Sequence, residues 1–446
     1  MNSTPLRESS GPEQDRARMR HVMNDLILHL HPPRVNARAL RFSYTFGLGG
    51  AAVLLLLVQV ITGALLMFAY RPTPAEAYLS IVTLETQVWF GQLIRNLHHW
   101  SANLLLVVVV LHLLRVFYTA AFRGSRRLNW ELGLGMLGLT MAANFTGYLL
   151  PWDQLSYWAV TVGTSLLSYI PLIGEGIRRL LLGGPEVGAA TLSNFYTLHV
   201  MALPLGFLIV GMYHLWRVRK DKFSTPRRVD EPAAPPLQMV TTLPHLVSRE
   251  VVFALLLLAL LLAWATGMDA PLLQAADPNH PPDPARAAWY FAGVQELLFH
   301  FHPTFGAFVI PALVIGALIA LPYLRDDQDC TGIWFRSQRG RGLVLVSLLL
   351  GAGAAVGLVW FSRRGDPFDQ LAFLPEFIRN GLLPVGAALL VLWAYRGVLR
   401  RFSISPGEVR MALFTLLWAV FLVLTVVGAL LRGPGMMLMV PGAASP

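Results

Sequence analysis

Five histidines fall in two long stretches that carry almost no charge: His98, His99 and His112 in one, His199 and His214 in the other. An imidazole in an apolar setting serves as a metal or haem ligand, as part of a proton relay, or as a hydrogen-bonded packing residue. Spacing helps to separate these uses. His98 and His112 are 14 residues apart, about 21 Å along a helix and about 40° short of four full turns. His199 and His214 are 15 apart, about 60° past four turns by the same geometry. Each pair therefore occupies one helix face at two depths, and Pro204 offers a place to absorb the extra residue of the second pair.

Two such helices running in the same direction present two facing His–His pairs stacked across a membrane. That geometry suits two six-coordinate haems held by imidazole nitrogens. A divalent ion fits less well, because residues four turns apart cannot share one small ion. A transporter that uses the same histidines for protons, without haem, is the alternative class. Glycines repeat with the same period: Gly49 and Gly63 lie 14 apart, as do Gly133 and Gly147. A flat macrocycle inside a bundle needs neighbours without side chains at its own depth. Arg95 and Arg115 each lie three residues from a proposed ligand, where a guanidinium neutralises propionates. Snorkelling to the membrane interface is the plainer use of such an arginine.

The elements that position these residues follow from composition. The chain has 446 residues, 55% hydrophobic and 13% charged, about half the ~25% charge of soluble domains. An ordinary cytoplasmic enzyme, a disordered chain and a collagen-like chain are excluded. The single cysteine, Cys330, excludes a disulfide scaffold, a Cys-ligated iron–sulfur centre and a C-x-x-C-H haem attachment. The net charge of +10 is read as loops facing the cytoplasm and not as a nucleic-acid surface.

Nine charge-poor segments are expected as membrane-spanning helices. They are Phe42–Tyr70, Asn96–Leu114, Leu132–Trp152, Val187–Trp216, Val251–Met268, Leu297–Leu324, Gly342–Ser362, Asn380–Tyr395 and Met411–Leu431. With the N-terminus inside, the inside segments hold 26 of the 35 basic residues and the outside segments 9, the asymmetry expected of a cytoplasmic N-terminus. Gln154–Gly174 is also charge-free but rich in Ser, Thr, Tyr and Gly. It is read as surface helices, because a tenth span there would invert every later loop.

The expected fold is all-α and polytopic. It has a cytoplasmic segment (1–43) with a surface helix at His21–Leu30, a four-helix di-haem domain (44–220) and a Pro-rich cytoplasmic linker (221–250). Two further spans (251–325) and three C-terminal spans (326–446) complete it, without an internal repeat. Residues 1–20 do not read as a signal peptide.

Several segments resemble the cytochrome b of quinol-oxidising bc and bf complexes. They are Arg95-Asn-Leu-His-His-Trp-Ser-Ala102, His112-Leu-Leu-Arg115, Thr146-Gly-Tyr-Leu-Leu-Pro-Trp-Asp-Gln154, Tyr70-Arg-Pro-Thr73 and Thr191-Leu-Ser-Asn-Phe-Tyr-Thr-Leu-His199. The resemblance is dense over about 40–220 and looser over 240–325, and the 15-residue spacing and Trp152-Asp153 lean toward the bf branch. It implies that His98 and His199 bind a low-potential haem near the outer side, and His112 and His214 a high-potential haem near the inner side. His99 is then a neighbour of a ligand. Tyr148, Pro151, Trp152 and Asp153, with Trp289 and Tyr290, would form an outer quinol pocket, and Arg219 and Lys220 would lie near an inner quinone. The implied protein is a bacterial inner-membrane subunit of a quinol:cytochrome c oxidoreductase, coupled to proton translocation. Its expected partners are a Rieske iron–sulfur protein and a c-type cytochrome, in a homodimeric complex. A di-haem anchor linking a peripheral redox enzyme to the quinone pool is the rival reading.

Two departures from the family pattern stand out. The bf branch tethers an additional haem through a cysteine, and that position here is Gly47, so no covalent haem is expected on this chain. The family's Pro-Glu-Trp-Tyr motif reads Ala287-Ala-Trp-Tyr290, with Ala288 at the position of the glutamate that accepts a quinol proton. Glu296 would lie about two turns further on the same face if this stretch were helical. It is the expected substitute base, with Asp283 and His300 as alternatives.

Overall fold

In hydrocarbon, a charge-poor run can satisfy its backbone only by closing hydrogen bonds within itself, and this chain does so repeatedly. The computed structural model describes residues 31–231, 238–326, 329–362 and 369–439; the expected surface helix at His21–Leu30 lies outside the described residues. Nine long helices follow one another: α1 Leu48–Met67, α2 Gly91–Tyr118, α3 Arg127–Leu149, α4 Ala189–Asp221, α5 Thr242–Gly267, α6 Thr304–Tyr323, α7 Gln338–Ser362, α8 Ile378–Arg401 and α9 Pro406–Leu430. Eight of them are long and apolar enough to cross a membrane; α3 does not meet the apolar criterion. Its 23 residues span about 35 Å, but Arg127, Glu131, two asparagines and four glycines dilute its apolar content. Among the described residues, eight of the nine expected spans thus have the length and apolar content to cross a membrane, and the third is a long helix packed among them.

The stretch after α3 forms short helices at Gln154–Ser165 and Gly174–Leu182. At 12 residues the longer one covers about 18 Å, too little for a ~30 Å core. Asp153 caps it: Oδ1 accepts the Ser156 N–H at 2.9 Å, and the Asp153 N–H donates to Ser156 Oγ at 3.2 Å. Such a cap supplies the donors a helix start leaves orphaned.

The helices pair along their lengths, α1 with α2, α3 with α4, and α7 with α9, while α5 leans on α2. Ala51 and Leu55 of α1, Leu105 and Val108 of α2 and Leu261 of α5 form one buried cluster. The α7–α9 crossing depends on small residues. A Cβ at Gly351 would meet the Leu416 carbonyl and the Ala419 methyl, so the two backbones nearly touch. The described parts of the linker after α4 are tied to the segment before α1. Arg34–Asn36 pairs antiparallel with Met239–Thr241, and Arg38 grips Glu231 with two nitrogens at 3.0 and 2.6 Å. On the loop after α6, the buried Asp326 receives Arg123, Arg336 and Arg410, joining the loop after α2 to the start of α9.

Three helices contain a π turn, at Leu198–Ala202, Thr304–Val309 and Ile378–Leu382. Each is followed two residues later by a proline: Pro204, Pro311 and Pro384. Proline has no N–H for the carbonyl four residues back and crowds it sterically. A wider turn ahead of it shifts the bonding register; the Leu203 N–H, for example, bonds the Leu198 carbonyl five residues earlier.

Candidate cofactor cavity

A cavity of about 2180 Å³ runs through the bundle formed by α1 to α4 and reaches α5, the loop before α6, and α9. Small-molecule pockets are commonly about 300–1,000 Å³, so this volume holds more than one large group. Its walls include His98 and His112 from α2 and His199 and His214 from α4. The π turn at Leu198–Ala202 explains how spacings of 14 and 15 end in matched depths. It contains His199 and takes up one more residue than an α turn.

Each histidine ring is turned toward a glycine of the neighbouring helix. A Cβ on Gly63 would lie 3.2 Å from His98 Cε1, and one on Gly49 3.7 Å from His112 Cε1. On the other side, a Cβ on Gly147 would lie 2.5 Å from His199 Cε1, and one on Gly133 3.7 Å from His214 Cε1. The four glycines and four histidines thus pair one to one, α1 with α2 and α3 with α4. The centres of the His98 and His199 rings are 6.2 Å apart. Two metal–nitrogen bonds of about 2 Å, plus about 1.1 Å from each nitrogen to its ring centre, come to about 6 Å, so the rings are placed to share one metal between them.

Hydrogen bonding assigns the protons. His199 Nδ1 lies 3.1 Å from the Ala143 carbonyl, which can only accept, so Nδ1 carries the hydrogen. Thr62 donates its hydroxyl to the Val58 carbonyl at 2.6 Å and therefore accepts from His98 Nδ1 at 2.9 Å. Thr146 is placed in the same way, bonded to the Ala142 carbonyl and 3.2 Å from His199 Nδ1. A ring held by Nδ1 directs its Nε2 lone pair outward for a metal. Among the described residues no hydrogen bond ends on Nε2 of any of the four ligands, and no group of three or more His, Cys, Asp or Glu is arranged around a bare ion. The residues present fit two bis-imidazole haems.

The two arginines divide. Arg115 lines the cavity, donates to the Tyr44 carbonyl at 3.0 Å, lies over the Tyr44 ring and has no carboxylate partner among the described residues. It is free to face an anionic group. Arg95 also lines the cavity but is already bound to Glu85, and to the Ala270 and Pro271 carbonyls at 2.9 and 2.8 Å. Gly47 adopts φ +64°, and a Cβ there would lie 2.9 Å from the Phe253 ring of α5. Both the backbone and the occupied space stand against a side chain at that position.

Of the expected quinol residues, Tyr148, Pro151, Asp153, Trp289 and Tyr290 line the His98/His199 end of the cavity together with Ala288. Trp289 donates to Asn103 Oδ1 at 2.6 Å. Trp152 does not line it; the ring is buried in the core against Tyr157. Asp153 lines the cavity, but its second oxygen accepts the Leu273 N–H at 3.0 Å, so the carboxylate also clamps the loop after α5. Arg219 lines the opposite end, near His214, whereas Lys220 lies over the Trp216 ring.

The expectation for Glu296 is corrected. Residues before Ala292 form turns, the helix begins at Ala292, and Glu296 points away from the cavity. It is fully buried and bound bidentately by Arg432, with His300 Nε2 3.6 Å away. Burial pushes the Glu296 carboxyl up, but the nearby His300 ring and the Arg432 guanidinium bonded to it outweigh this and hold it below its ordinary value. Asp283 accepts the Gly435 N–H at 2.5 Å, and neither it nor His300 lines the cavity.

Sequence reasoning missed Thr62, Thr146, Arg286 and the contribution of α9 through Ala429. The threonines had a signal: Thr62-Gly63 and Thr146-Gly147 are the same dipeptide on two helices, one residue orienting the imidazole and the next making room for it.

Comparison with known proteins agrees with this geometry. The family described as Cytochrome b/b6/petB matches residues 36–222. Cytochrome b6 of Heliomicrobium gestii is 41% identical over 206 residues, covering 46% of this chain and 94% of that protein. Cytochrome b6 of Auxenochlorella protothecoides is 41% identical over 213 residues, 48% of this chain and 96% of that protein. A solved chain described as Hyperthermophilic respiratory Complex III superposes with a TM-score of 0.66 at 23% identity, covering 94% of this chain and 98% of that one, and so shares the fold. With His98, His112, His199 and His214 lying inside the matched segment, the chain belongs to the cytochrome b family of the bc and b6f type, an integral membrane protein whose b6-like half continues into a divergent helical half.

Proposed function

We propose that this protein is the electron-transferring subunit of a quinol:cytochrome c oxidoreductase in a bacterial cytoplasmic membrane, with its N-terminus inside. His98 and His199 would hold a low-potential b haem toward the outer side, and His112 and His214 a high-potential b haem toward the inner side. Bound there, the two groups would supply one-electron carriers between an outer quinol and an inner quinone. The chain's own residues do the rest. Thr62 and Thr146 fix the ligand rings of the outer pair, Arg115 offsets anionic charge at the inner pair, and the loop 286–290 with Tyr148 and Pro151 encloses quinol. Arg219 stands at the inner end, where a quinone would take up protons. Release outside and uptake inside would turn redox energy into a proton gradient.

The observation that carries this reading is the one-to-one pairing of four histidines with four glycines in a single cavity. A Rieske iron–sulfur protein and a c-type cytochrome would be the partners, in a dimeric complex. Ala288, where the family has a proton-accepting glutamate, favours the second reading, a di-haem anchor that passes electrons without splitting them between two acceptors. Purification of the complex with haem quantified per chain, followed by an anaerobic redox titration, tests both. Two non-covalent b haems at separable potentials and a co-purifying Rieske protein are expected. Two haems without that partner favour the anchor, and fewer than two haems refute the four-ligand assignment.

A further inference from the structure

The His98/His199 end of the cavity lacks a free carboxylate among the described residues. Ala288 has none, Glu296 is outside the cavity on Arg432, and Asp153 is engaged by the Ser156 and Leu273 N–H groups. Each of the two Asp153 oxygens thus already accepts a backbone N–H, at 2.9 and 3.0 Å. A cation stands there instead. Arg286, adjacent to the Ala287–Tyr290 motif, lines the same end of the cavity. Its Nη2 donates to the Arg432 carbonyl, which fixes the side chain, and its Nε–H is buried with no partner. Among the described residues it makes no ion pair with a carboxylate. A buried donor without an acceptor is costly, and a ligand oxygen in the cavity would relieve it.

We propose that Arg286 is a catalytic residue of the outer quinol pocket, whose guanidinium holds the anionic form of the bound quinol in place of a carboxylate base. The proposal rests on the quinol-oxidising reading above. One quinol O–H bond breaks, its electron pair stays on the quinol oxygen beside Arg286, and the proton passes to water. The walls contributed by Pro151, Ala288 and Ala429 are apolar, which strengthens the attraction between guanidinium and anion. The other charged or titratable groups here are Asp153, Tyr70, Tyr148, Tyr196, Tyr290, His98, His99, His199 and Arg95. Arg95 is neutralised by Glu85, and Arg432 by Glu296. Arg286 is therefore the cation left to act on the quinol. Its tether joins the site to the segment that follows α9, through the backbone of Arg432.

The test compares the wild-type complex with R286Q and R286K, following oxidation of a short-chain quinol across pH. An opposite charge within ~4–6 Å lowers a pKa by about 1–3 units. R286Q is therefore expected to move the acid limb of the profile up by about one unit or more, with a rate at the acid end at least about tenfold lower and recovery at high pH. R286K, which keeps the charge, is expected to retain the wild-type limb. An R286Q profile that matches wild type overturns the inference. A wild-type complex that oxidises no quinol overturns the function proposed above, a separate result. Binding of a 2-hydroxynaphthoquinone to the wild type gives a readout that needs no variant: tighter binding of the anion supports the inference, and tighter binding of the neutral form overturns it.

Discussion

Replacing each cavity glycine by alanine gives a graded test of the ligand geometry. At Gly147 the new methyl would lie 2.5 Å from His199 Cε1, about 1 Å inside the ~3.5–4.0 Å of a good carbon–carbon contact. The ring must retreat by about that much, whereas a metal–ligand distance tolerates about 0.2 Å. At Gly63 the contact is 3.2 Å, so His98 yields by a few tenths; at Gly49 and Gly133 it is 3.7 Å and nothing moves. Overpacking of this kind costs about 1–3 kcal/mol. Taken at about 2 kcal/mol, it weakens retention of the bound group about thirtyfold. The assay is haem per chain in the purified complex, with the absorbance of the two b haems resolved by redox titration. Loss is expected in the order G147A, then G63A, with G49A and G133A less affected by this ring contact and G147A losing the His98/His199 haem alone. Full haem content in G147A, or greater loss in G49A than in G147A, would refute the placement of His199 against Gly147.

Further outcomes follow from other contacts. H112A is expected to remove one haem and leave the other, read as half the wild-type haem per chain. R432Q leaves the fully buried Glu296 without its partner, a loss of about 3–5 kcal/mol; thermal unfolding in detergent should show it, and E296Q/R432Q should recover much of it. At the linker, hydrogen bonds from Arg38 and from the Arg228 N–H hold the Glu231 carboxyl at about 2, below its ordinary 4.5. Its contribution is therefore present above pH 4.5 and lost as the pH falls through 2. Protection from hydrogen exchange at the strand pair Arg34–Asn36 and Met239–Thr241, taken relative to the intrinsic rate at each pH, should hold from neutral pH down to about 4.5 and fall below it.

Much of the site was legible because its chemistry is periodic. Four histidines and four glycines repeat at helical spacing, on spans recognisable as charge-poor runs. What escaped depends on tertiary packing. Glu296 reads as a cavity base only if the chain stays helical from Ala288 onward; instead turns precede Ala292, and the carboxylate faces α9. Trp152 sits within a motif of cavity residues, yet its positive φ of 53° accompanies a ring turned into the core. Arg286 had no periodic signature. It becomes visible only when the segment after α9, far along the chain, supplies the carbonyl that fixes it. The third helix shows the converse: its hydropathy is modest, but its glycines were informative.

The π turn at Leu198–Ala202 bears on how such proteins diverge. A single inserted residue in a membrane helix ordinarily rotates everything beyond it by about 100°, which would turn His214 out of the cavity. Here the insertion is confined to one wide turn, so the lower half of α4 keeps its bearing. Spacings of 14 and 15 between the two histidines are thus interchangeable spellings of one geometry. A pattern search that fixes the interval will divide what the fold keeps together. The same reasoning applies to the π turns at Thr304–Val309 and Ile378–Leu382, where aligning sequences residue by residue across the turn would shift every downstream position by one.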